Sequence, residues 1–270
     1  MSDTDFRRPE DIRRGDALLR DGYLIEPVED RAALDRLRWL MVDVACAYLQ
    51  APRPADPEIW LDRIADLVPA DQVNDFRVAV IAGMNAQPWT RRAYFDLARQ
   101  ALESVVGNEL AMQRRINLSI QLPDDDSSLL PLHSDVWAGD SPFEVVLWVP
   151  FTRCFGTKAM FLLPPGPNAD FHSRLSDFET TGVEAAYKAI EDQLIWIEIA
   201  YGKFLLFNQN LPHGNRINRE GETRWSANCR FKGLFTPYAD KKLGEFFEPI
   251  TLRPASRIGL DYDLPAGFEE

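Results

Sequence analysis

The chain has 270 residues, of which 46% are hydrophobic, so it can bury a substantial core in one large domain or two small ones. Its 42 acidic and 30 basic residues give a formal net charge of -12, which repels phosphate polyanions over long range. This balance argues against nucleic acid or an anionic membrane as a partner.

The sequence points to the cytoplasm. No apolar window is long enough to cross a bilayer, and the start, "MSDTDFRRPEDIRRGD", is too charged for a signal peptide. Cys46, Cys154 and Cys229 have neither a paired metal spacing nor the pattern of a disulfide framework. We therefore expect reduced, buried thiols in a cytoplasmic protein.

The N-terminal part is predicted to be mainly helical. Residues 1–15 carry charge without periodic apolar positions, so we expect a poorly ordered lead-in, followed by a short strand in "DGYLIEPV". From Asp30 apolar residues recur at helical intervals until the prolines of "APRPADPE". Similar patterns return at about 57–67, 70–84 and 90–106. Residues 16–107 therefore form a helical support.

After Gly107 the pattern changes to short apolar or alternating runs bounded by turn residues. They predict eight strands, at 115–122, 131–136, 143–151, 158–164, 194–200, 203–208, around 213, and at 223–235. An insertion at 173–193 contains an amphipathic helix that could cover the mouth of a barrel. Eight antiparallel strands favour a jelly roll, the fold class that includes the cupins. We expect one domain over 16–270, with a mainly β core at 108–240 and a C-terminal tail at 241–270.

A histidine and an aspartate two positions apart stand in "LPLHSDVWAGD". If "PLHSDV" is a strand, His133 and Asp135 leave the same face of the sheet, because side chains alternate with a period of two. The pair then offers an imidazole and a carboxylate to one point. A metal ion at that point needs a third ligand from a distant part of the chain.

Two other histidines can supply that ligand. His172 lies in the proline-rich stretch "PPGPNADFHSR", where an exposed loop histidine is expected. His213 follows the buried-type strand of "GKFLLFNQNLP", and Gly214 beside it permits close approach of another segment. Two imidazoles and one carboxylate are the ligand set of non-heme Fe(II), whereas zinc prefers a tetrahedral site. Taken singly, His133 and His213 are equally consistent with unrelated core or turn histidines.

The last predicted strand has one polar and one apolar face. In "TRWSANCRF" the polar face carries Arg224, Ser226, Asn228 and Arg230, and the other carries Trp225, Ala227 and Cys229. A buried guanidinium is costly unless an anion meets it, and no fixed acidic neighbour is evident. We expect Arg224 to hold a bound carboxylate through a bidentate pair, with Ser226 as a further donor. A surface strand whose arginines face water is the alternative.

Taken in order, "HSD", "GKFLLFNQNLPHGN" and "TRWSANCRF" resemble the Fe(II)/2-oxoglutarate-dependent oxygenases. More narrowly, "LPLHSDVWAGDSPFEVVLWVPF", "TKAMFLLP" and "HGNRINREGETRWSANCRF" are similar to the phytanoyl-dioxygenase-like branch found in sporadic carbohydrate-biosynthesis clusters, such as the streptomycin cluster. The likeness covers roughly residues 110 to 236. It implies a double-stranded β-helix flanked by α-helices, with Fe(II) as cofactor and 2-oxoglutarate and dioxygen as cosubstrates.

Carried onto this chain, the resemblance implies roles for particular residues. His133, Asp135 and His213 become the catalytic iron ligands, and Arg224 with Ser226 the clamp for the distal carboxylate of 2-oxoglutarate. Asn117 shares a predicted strand face with Ser119 and Gln121, and it either donates to the cosubstrate or substrate or makes a structural hydrogen bond. Lys158 is a candidate for a second carboxylate anchor.

The implied reaction is hydroxylation, or another oxidation, of an unactivated C–H bond in a small polar metabolite such as a sugar, an aminocyclitol or a nucleotide-linked sugar. Trp137 and Trp148 could face a sugar ring or fill the core, and Arg230 could meet a substrate anion or lie exposed at a strand end. A non-catalytic carbohydrate-binding jelly roll and a cupin-type metal isomerase or hydrolase are the alternatives, although neither explains Arg224. Homo-oligomer formation stays open.

Overall fold

The structure, a computed structural model, describes residues 6–263. Its N-terminal part is mainly helical, as the apolar spacing predicts. The helices are α1 (Pro9–Asp21), α2 (Arg31–Leu49), α3 (Pro57–Asp62), α4 (Val73–Asn85), α5 (Thr90–Asp96) and α6 (Arg99–Val105), with the predicted strand β1 (Tyr23–Pro27) between the first two.

Aspartates at the helix starts explain where two of these helices begin. The Asp30 side chain accepts a hydrogen bond from the Ala33 backbone at the start of α2. Asp56 accepts from the Glu58 and Ile59 backbones at the start of α3, where Pro57 occupies the first turn. These side chains satisfy N–H groups that the first turn of a helix leaves unpaired.

The expected poorly ordered lead-in is wrong for the residues that α1 covers, while residues 1–5 lie outside the described residues. No residue of α1 is fully buried, although Ala17 and Leu18 pack partly buried against the core. Its first turns, where the lead-in was expected, are held by polar contacts: the Arg14 guanidinium pairs with Glu26 at 2.8 Å, and Asp11 accepts a hydrogen bond from Ser104 at 2.6 Å. The sequence signals that mark it are Pro9 at its start and Gly22, with φ of 82°, at its end.

The rest of the described chain builds two antiparallel sheets. Its strands are β2 (Leu110–Gln113), β3 (Asn117–Gln121), β4 (Glu144–Pro150), β5 (Met160–Leu162), β6 (Ile195–Ile197), β7 (Lys203–Asn208), β8 (His213–Gly214), β9 (Arg224–Gly233) and β10 (Phe247–Pro249). The larger sheet has the order β1-β7-β4-β9-β2-β10, with β3 also paired to β9. The smaller sheet has the order β6-β5-β8.

Strand β4 shows how the layers are arranged. Its residues Val145, Leu147 and Val149 join the apolar core formed with the helices, while Val146 and Trp148 pack with residues of the smaller sheet. Successive side chains of a strand point to opposite faces. The larger sheet therefore lies between a helical layer and the smaller sheet.

Strand β9 follows the same alternation with a different chemistry on each face. Trp225, Ala227, Cys229 and Phe231 belong to the core shared with the helices. Across the sheet, β9 pairs with β3 in a register that sets Gln121 against Arg224, Ser119 against Ser226, and Asn117 against Asn228. A ladder of polar pairs thus faces away from the helices.

All but one of the eight predicted strands are present. The exception is 131–136, where His133 makes a single bridge to His213 and a 3-10 turn follows at Asp135–Ala138. Two strands were missed: β2 and β10 pair with each other, so the predicted C-terminal tail adds a strand to the larger sheet before helix α9 (Pro254–Leu260). All four residues of β2 are buried, so it shows no alternation, and β10 has only three residues.

The predicted helical insertion lies behind the smaller sheet. It contains α8 (Gly182–Ile190), preceded by α7 (Pro165–Ser173), so His172 is helical and not in the expected loop. Ala186 and Ile190 of α8 pack with Phe161, which projects from the face of β5 opposite to Met160 and Leu162. The insertion therefore covers the back of this sheet, and the expectation that it covers a barrel mouth is wrong.

The cysteines agree with the sequence-based expectation of buried thiols. All three are free and buried. Burial raises the pKa of the Cys154 and Cys229 thiols to about 12, which keeps both protonated at neutral pH. Among residues 6–263, no helix is long and apolar enough to span a membrane.

Candidate metal centre

Two distant segments meet edge to edge and bring the motif residues together. The backbones of His133 and His213 exchange hydrogen bonds of 3.0 and 2.8 Å, and the Asp135 N–H donates to the Gln209 carbonyl at 3.2 Å. Gly214 makes this approach possible, since a Cβ there would lie 2.7 Å from the Leu130 carbonyl oxygen and 2.8 Å from that of Pro131. Any larger residue would separate the two segments.

Three side chains converge at this junction. One ligand-type atom from each of His133, Asp135 and His213 lies within 4.8 Å of the other two. The Asp135 Oδ1 atom is 3.6 Å from His133 Nε2 and 3.9 Å from His213 Nε2. These three residues could hold a metal ion, and the third histidine, His172, lies elsewhere in α7.

Both imidazoles are oriented by backbone carbonyls. His133 Nδ1 lies 2.7 Å from the Pro131 oxygen, and His213 Nδ1 lies 2.9 Å from the Leu211 oxygen. Because a carbonyl only accepts hydrogen bonds, each Nδ1 must carry the proton, and each Nε2 then presents a lone pair toward Asp135. Hydrogen bonds of this kind fix the tautomer of metal-ligating histidines.

An arginine holds the carboxylate from its other side. Arg230 Nη2 lies 2.8 Å from Asp135 Oδ2, which leaves Oδ1 facing the two imidazoles. Arg230 Nε also pairs with Asp140 at 3.2 Å and donates to Gln209 at 3.2 Å. Arg230 is therefore not an exposed strand-end charge, and its guanidinium is not free for a substrate anion. Both roles suggested by the sequence are wrong.

The charges of this cluster suit cation binding. Burial favours the neutral form of Asp135, but a hydrogen bond from protonated His133 and the charges of His213 and Arg230 outweigh burial and hold its pKa well below the usual range. Burial lowers the pKa of His133, but the same hydrogen bond outweighs it and raises that pKa while no cation is bound. Burial lowers the pKa of His213 to about 4, and the adjacent His133 contributes to the lowering. At neutral pH the site thus offers a carboxylate and a neutral imidazole, the states in which these groups bind metals.

The triad faces a cavity of about 400 Å³ between the two sheets. The residues that line it are Asn117, Leu118, Ser119, Leu130, His133, Asp135, Val146, Trp148, Met160, Phe207, His213, Gly214, Asn215, Arg224, Asn228 and Arg230. Trp148 contributes to the wall, whereas Trp137 is 42% exposed and does not line the cavity. The volume suits a small metabolite.

Arg224 points into this cavity without an acidic partner. The residue is 2% exposed, and within residues 6–263 it forms no ion pair. Its Nη2 atom donates to Ser119 at 3.1 Å, while its Nε and Nη1 atoms are buried without a hydrogen-bond partner. Burial lowers the pKa of this guanidinium. An unpaired buried guanidinium is expensive, so the site favours an anion.

Further buried polar atoms without partners among the described residues belong to residues next to Arg224 in the sheet, none of which lines the cavity. The Ser226 hydroxyl, the Thr223 hydroxyl and the Gln121 carbonyl oxygen are all buried and lack a hydrogen-bond partner in the described chain. Gln121 stands opposite Arg224 across the β3–β9 ladder. Of these residues and Arg224, only Arg224 lines the cavity, so a ligand there would first satisfy the guanidinium.

Two other predicted residues have different surroundings. Asn117 lines the cavity, but it also donates to Asn228 at 3.0 Å and accepts from Gln113 at 3.1 Å, so its amide already has structural partners. Lys158 is fully buried outside the cavity and pairs with Asp62 at 2.6 Å and Glu222 at 3.0 Å. The suggestion that Lys158 anchors a carboxylate ligand is therefore wrong.

Sequence reasoning missed the residues that fix Arg230. Asp140 is buried and pairs with both Arg230 and Lys241, and Gln209 links Arg230 to the buried Glu144 through a hydrogen bond of 3.0 Å. Asp140 stands in the quoted segment "HSDVWAGD", yet an acidic residue in a turn is ordinarily solvated. Only the fold reveals its partner.

Comparison with known proteins places this geometry in a wider context. No family profile matches the chain, and no curated protein matches it. It is similar to the non-heme monooxygenase ThoJ, solved as a nickel complex, with a TM-score of 0.56 over 90% of this chain and 85% of that one at 14% identity. EctD from S. alaskensis, solved with 2-oxoglutarate and 5-hydroxyectoine, gives 0.53 over 84% and 77% at 17% identity.

HygX from Streptomyces hygroscopicus, solved with nickel and 2-oxoglutarate, gives a TM-score of 0.50 over 87% of this chain and 90% of that one at 15% identity. The TM-scores indicate a shared fold, and at identities this low the similarity shows the fold alone. The two antiparallel sheets with their helical layer are thus the architecture of these solved proteins.

Proposed function

We propose that this protein is an Fe(II)- and 2-oxoglutarate-dependent dioxygenase that hydroxylates, or otherwise oxidises, an unactivated C–H bond of a small polar metabolite. The observation that carries the proposal is the pairing of two features in one cavity. Two imidazoles and a carboxylate converge there, and a buried guanidinium without an acidic partner points into the same space.

The donor set fits iron. Two histidine nitrogens and one carboxylate oxygen are the ligands of the non-heme Fe(II) oxygenase site. His133, Asp135 and His213 would hold the ion, with their Nε2 and Oδ1 atoms already oriented toward one another. No cysteine belongs to the cluster, which disfavours a structural zinc site.

The surroundings of Arg224 fit 2-oxoglutarate. A guanidinium forms two parallel hydrogen bonds with a carboxylate, and two of its nitrogen atoms, Nε and Nη1, lack partners here. The Ser226 hydroxyl would add a donor to the same carboxylate. EctD and HygX, which share the fold, were both solved with 2-oxoglutarate, which supports this assignment.

The chemistry that these groups supply when bound is a coupled oxidation: 2-oxoglutarate and dioxygen become succinate and carbon dioxide, and one oxygen atom enters succinate while the other enters the substrate C–H bond as a hydroxyl. The protein contributes geometry and charge. Arg230 holds Asp135 Oδ2, which leaves Oδ1 turned toward the two histidines. Arg224 orients the oxoacid by its distal carboxylate, and the apolar walls from Val146, Trp148 and Phe207 exclude water.

We further infer that the substrate is a sugar, an aminocyclitol or a nucleotide-linked sugar, and that the enzyme belongs to the phytanoyl-dioxygenase-like branch. Trp148 supplies a flat apolar face within the cavity for a sugar ring. In this proposal the two sheets constitute the double-stranded β-helix of a single oxygenase domain, and Asn117 contributes a polar contact to substrate or cosubstrate.

One anaerobic titration with Fe(II) and 2-oxoglutarate tests the proposal. We expect a weak visible charge-transfer band that appears only when both are present and that is absent from the His213→Ala variant. His172→Ala is the matched control, because this histidine lies in α7 outside the cluster, and it should keep the band. Tight zinc binding with no band would instead favour a hydrolase or isomerase, and binding of neither metal would favour a carbohydrate-binding protein.

A further inference from the structure

A second, larger cavity adjoins the metal-facing one. It has a volume of about 1100 Å³ and lies between α4, the turn that joins β2 to β3, and the segment that leads into β10. Its charged lining residues are Arg91, Arg114, Arg115, Glu245 and Glu248. The proposed oxidation uses none of these residues.

The arginines of this cavity are only partly neutralised. Arg91 and Arg114 share one carboxylate, that of Glu248. Arg115 is exposed and forms no ion pair within residues 6–263, and the Arg91 Nε atom is buried without a hydrogen-bond partner. Glu245 also lines the cavity but pairs with none of the three arginines. The cavity thus carries an excess of positive charge in a chain whose net charge is -12.

The two cavities share a boundary made of amide side chains. Asn117 lines both of them. Gln113 lines the second cavity, donates to Asn117 at 3.1 Å and accepts from Arg230 Nη1 at 3.3 Å, and Arg230 lines the first cavity. Gln113 is buried and its amide is already paired, so Asn117, which is exposed, is the boundary residue that a ligand spanning the two cavities would meet.

We propose that the substrate is a phosphorylated metabolite whose phosphate binds among Arg91, Arg114 and Arg115 while the part to be oxidised lies beside Asn117 in the metal-facing cavity. The placement of the oxidised part in the metal-facing cavity rests on the proposed function. Guanidinium groups bind phosphate through paired, charge-assisted hydrogen bonds, and a dianion would offset the local excess of positive charge. The overall negative charge of the chain still disfavours a long polyanion such as nucleic acid.

Pyrophosphate binding to the full-length, metal-free protein, followed by phosphorus NMR, tests the anion site without any need for turnover. We expect saturable binding in the wild type, about threefold weaker binding in Arg115→Gln, and about tenfold weaker binding in the Arg114→Gln/Arg115→Gln double variant, as for partly exposed charges. Arg153→Gln is the matched control, because Arg153 is also exposed, forms no ion pair with any residue of 6–263 and lies outside both cavities. It should bind pyrophosphate like the wild type.

Three results would overturn the inference. Wild-type protein that does not bind pyrophosphate has no phosphate site, and citrate that binds more tightly than pyrophosphate would point to a carboxylate ligand. Binding that is lost in Arg224→Met but kept in the double variant would place the anion in the oxoacid site. The iron and 2-oxoglutarate titration of the double variant separates the two proposals, since it should still give the charge-transfer band of the wild type.

Discussion

Two arginines at opposite ends of one strand face have contrasting surroundings. Arg224 and Arg230 both project from the polar face of β9 into the metal-facing cavity. Arg230 pairs with Asp135 and Asp140, whereas the Arg224 guanidinium has the Ser119 hydroxyl as its only acceptor among the described residues. The same residue type on the same strand thus has two different tasks.

The contrast separates structure from ligand binding. Neutralised by the protein itself, Arg230 has no charge left for a ligand, and it acts on chemistry only by positioning Asp135. Arg224 keeps an unsatisfied charge that the protein tolerates at a cost in stability. Substituting each arginine with methionine, which fills a similar volume without charge, is therefore the most direct way to test the comparison.

The largest effect is expected on the stability of the protein when Arg230, the paired arginine, is replaced. Arg230→Met removes the cation between the buried Asp135 and Asp140, and Lys241 remains beside Asp140 only, so we expect the free energy of unfolding to fall by about 3 to 5 kcal/mol. Urea denaturation of the metal-free protein measures it. Arg230→Lys keeps the charge but loses the planar fork, so its free energy of unfolding should lie between those of the wild type and Arg230→Met. Wild-type stability in Arg230→Met would show that the ion pairs contribute nothing.

The next effect concerns the binding of 2-oxoglutarate when Arg224, the arginine without an acidic partner among the described residues, is replaced. Arg224→Met should weaken 2-oxoglutarate binding by about 2 to 5 kcal/mol while leaving iron affinity unchanged, because the guanidinium contacts none of the three metal-binding groups. Anaerobic titrations of iron and of 2-oxoglutarate measure the two affinities separately. Ser226→Ala should cost only about 1 kcal/mol in the same assay. Parallel loss of iron and 2-oxoglutarate would instead give Arg224 a structural role.

The smallest effect is a gain in the free energy of unfolding, opposite in sign to the loss expected for Arg230→Met. In the absence of ligands, Arg224→Met should raise the free energy of unfolding by about 1 to 2 kcal/mol, since it removes a buried charge that has no partner. Iron and 2-oxoglutarate should raise the thermal unfolding temperature of the wild type more than that of the variant. A destabilised Arg224→Met protein would mean that the Ser119 contact outweighs the cost of burial.

Local pattern was sufficient for the strands and helices that carry an apolar face. The alternation in "TRWSANCRF" correctly separates the core side of β9 from its polar side, because a period of two follows from strand geometry alone. The first turns of helix α1 were missed because Ile12 is the only large apolar residue among residues 9–15, and these turns depend on contacts with Glu26 and Ser104. Apolar periodicity appears only where several apolar residues recur, as it does later in α1, where Ala17 and Leu18 pack on the core.

The His133 and Asp135 side chains converge as the sequence suggested, but by a different route. We expected a continuous strand; the chain makes one bridge at His133 and then turns at Asp135–Ala138. Ser134 between them keeps extended dihedral angles, φ -121° and ψ 136°, so the alternation of a strand still directs both side chains to one side. The close approach at Gly214 is what brings the His213 segment within reach.

The residue types, their order and the face of β9 on which each lies follow from the sequence by itself, since these depend on covalent spacing. The partners of the charged groups were decided by the tertiary structure. Asp140 and Asp135 meet Arg230, and Asp62 meets Lys158, across separations in sequence that no local pattern spans. The strength of an ion pair depends on distance and burial, and only the folded chain sets both. For that reason Arg224 could be proposed as an anion site from its sequence context, but its lack of an acidic partner became an observation only in the folded structure.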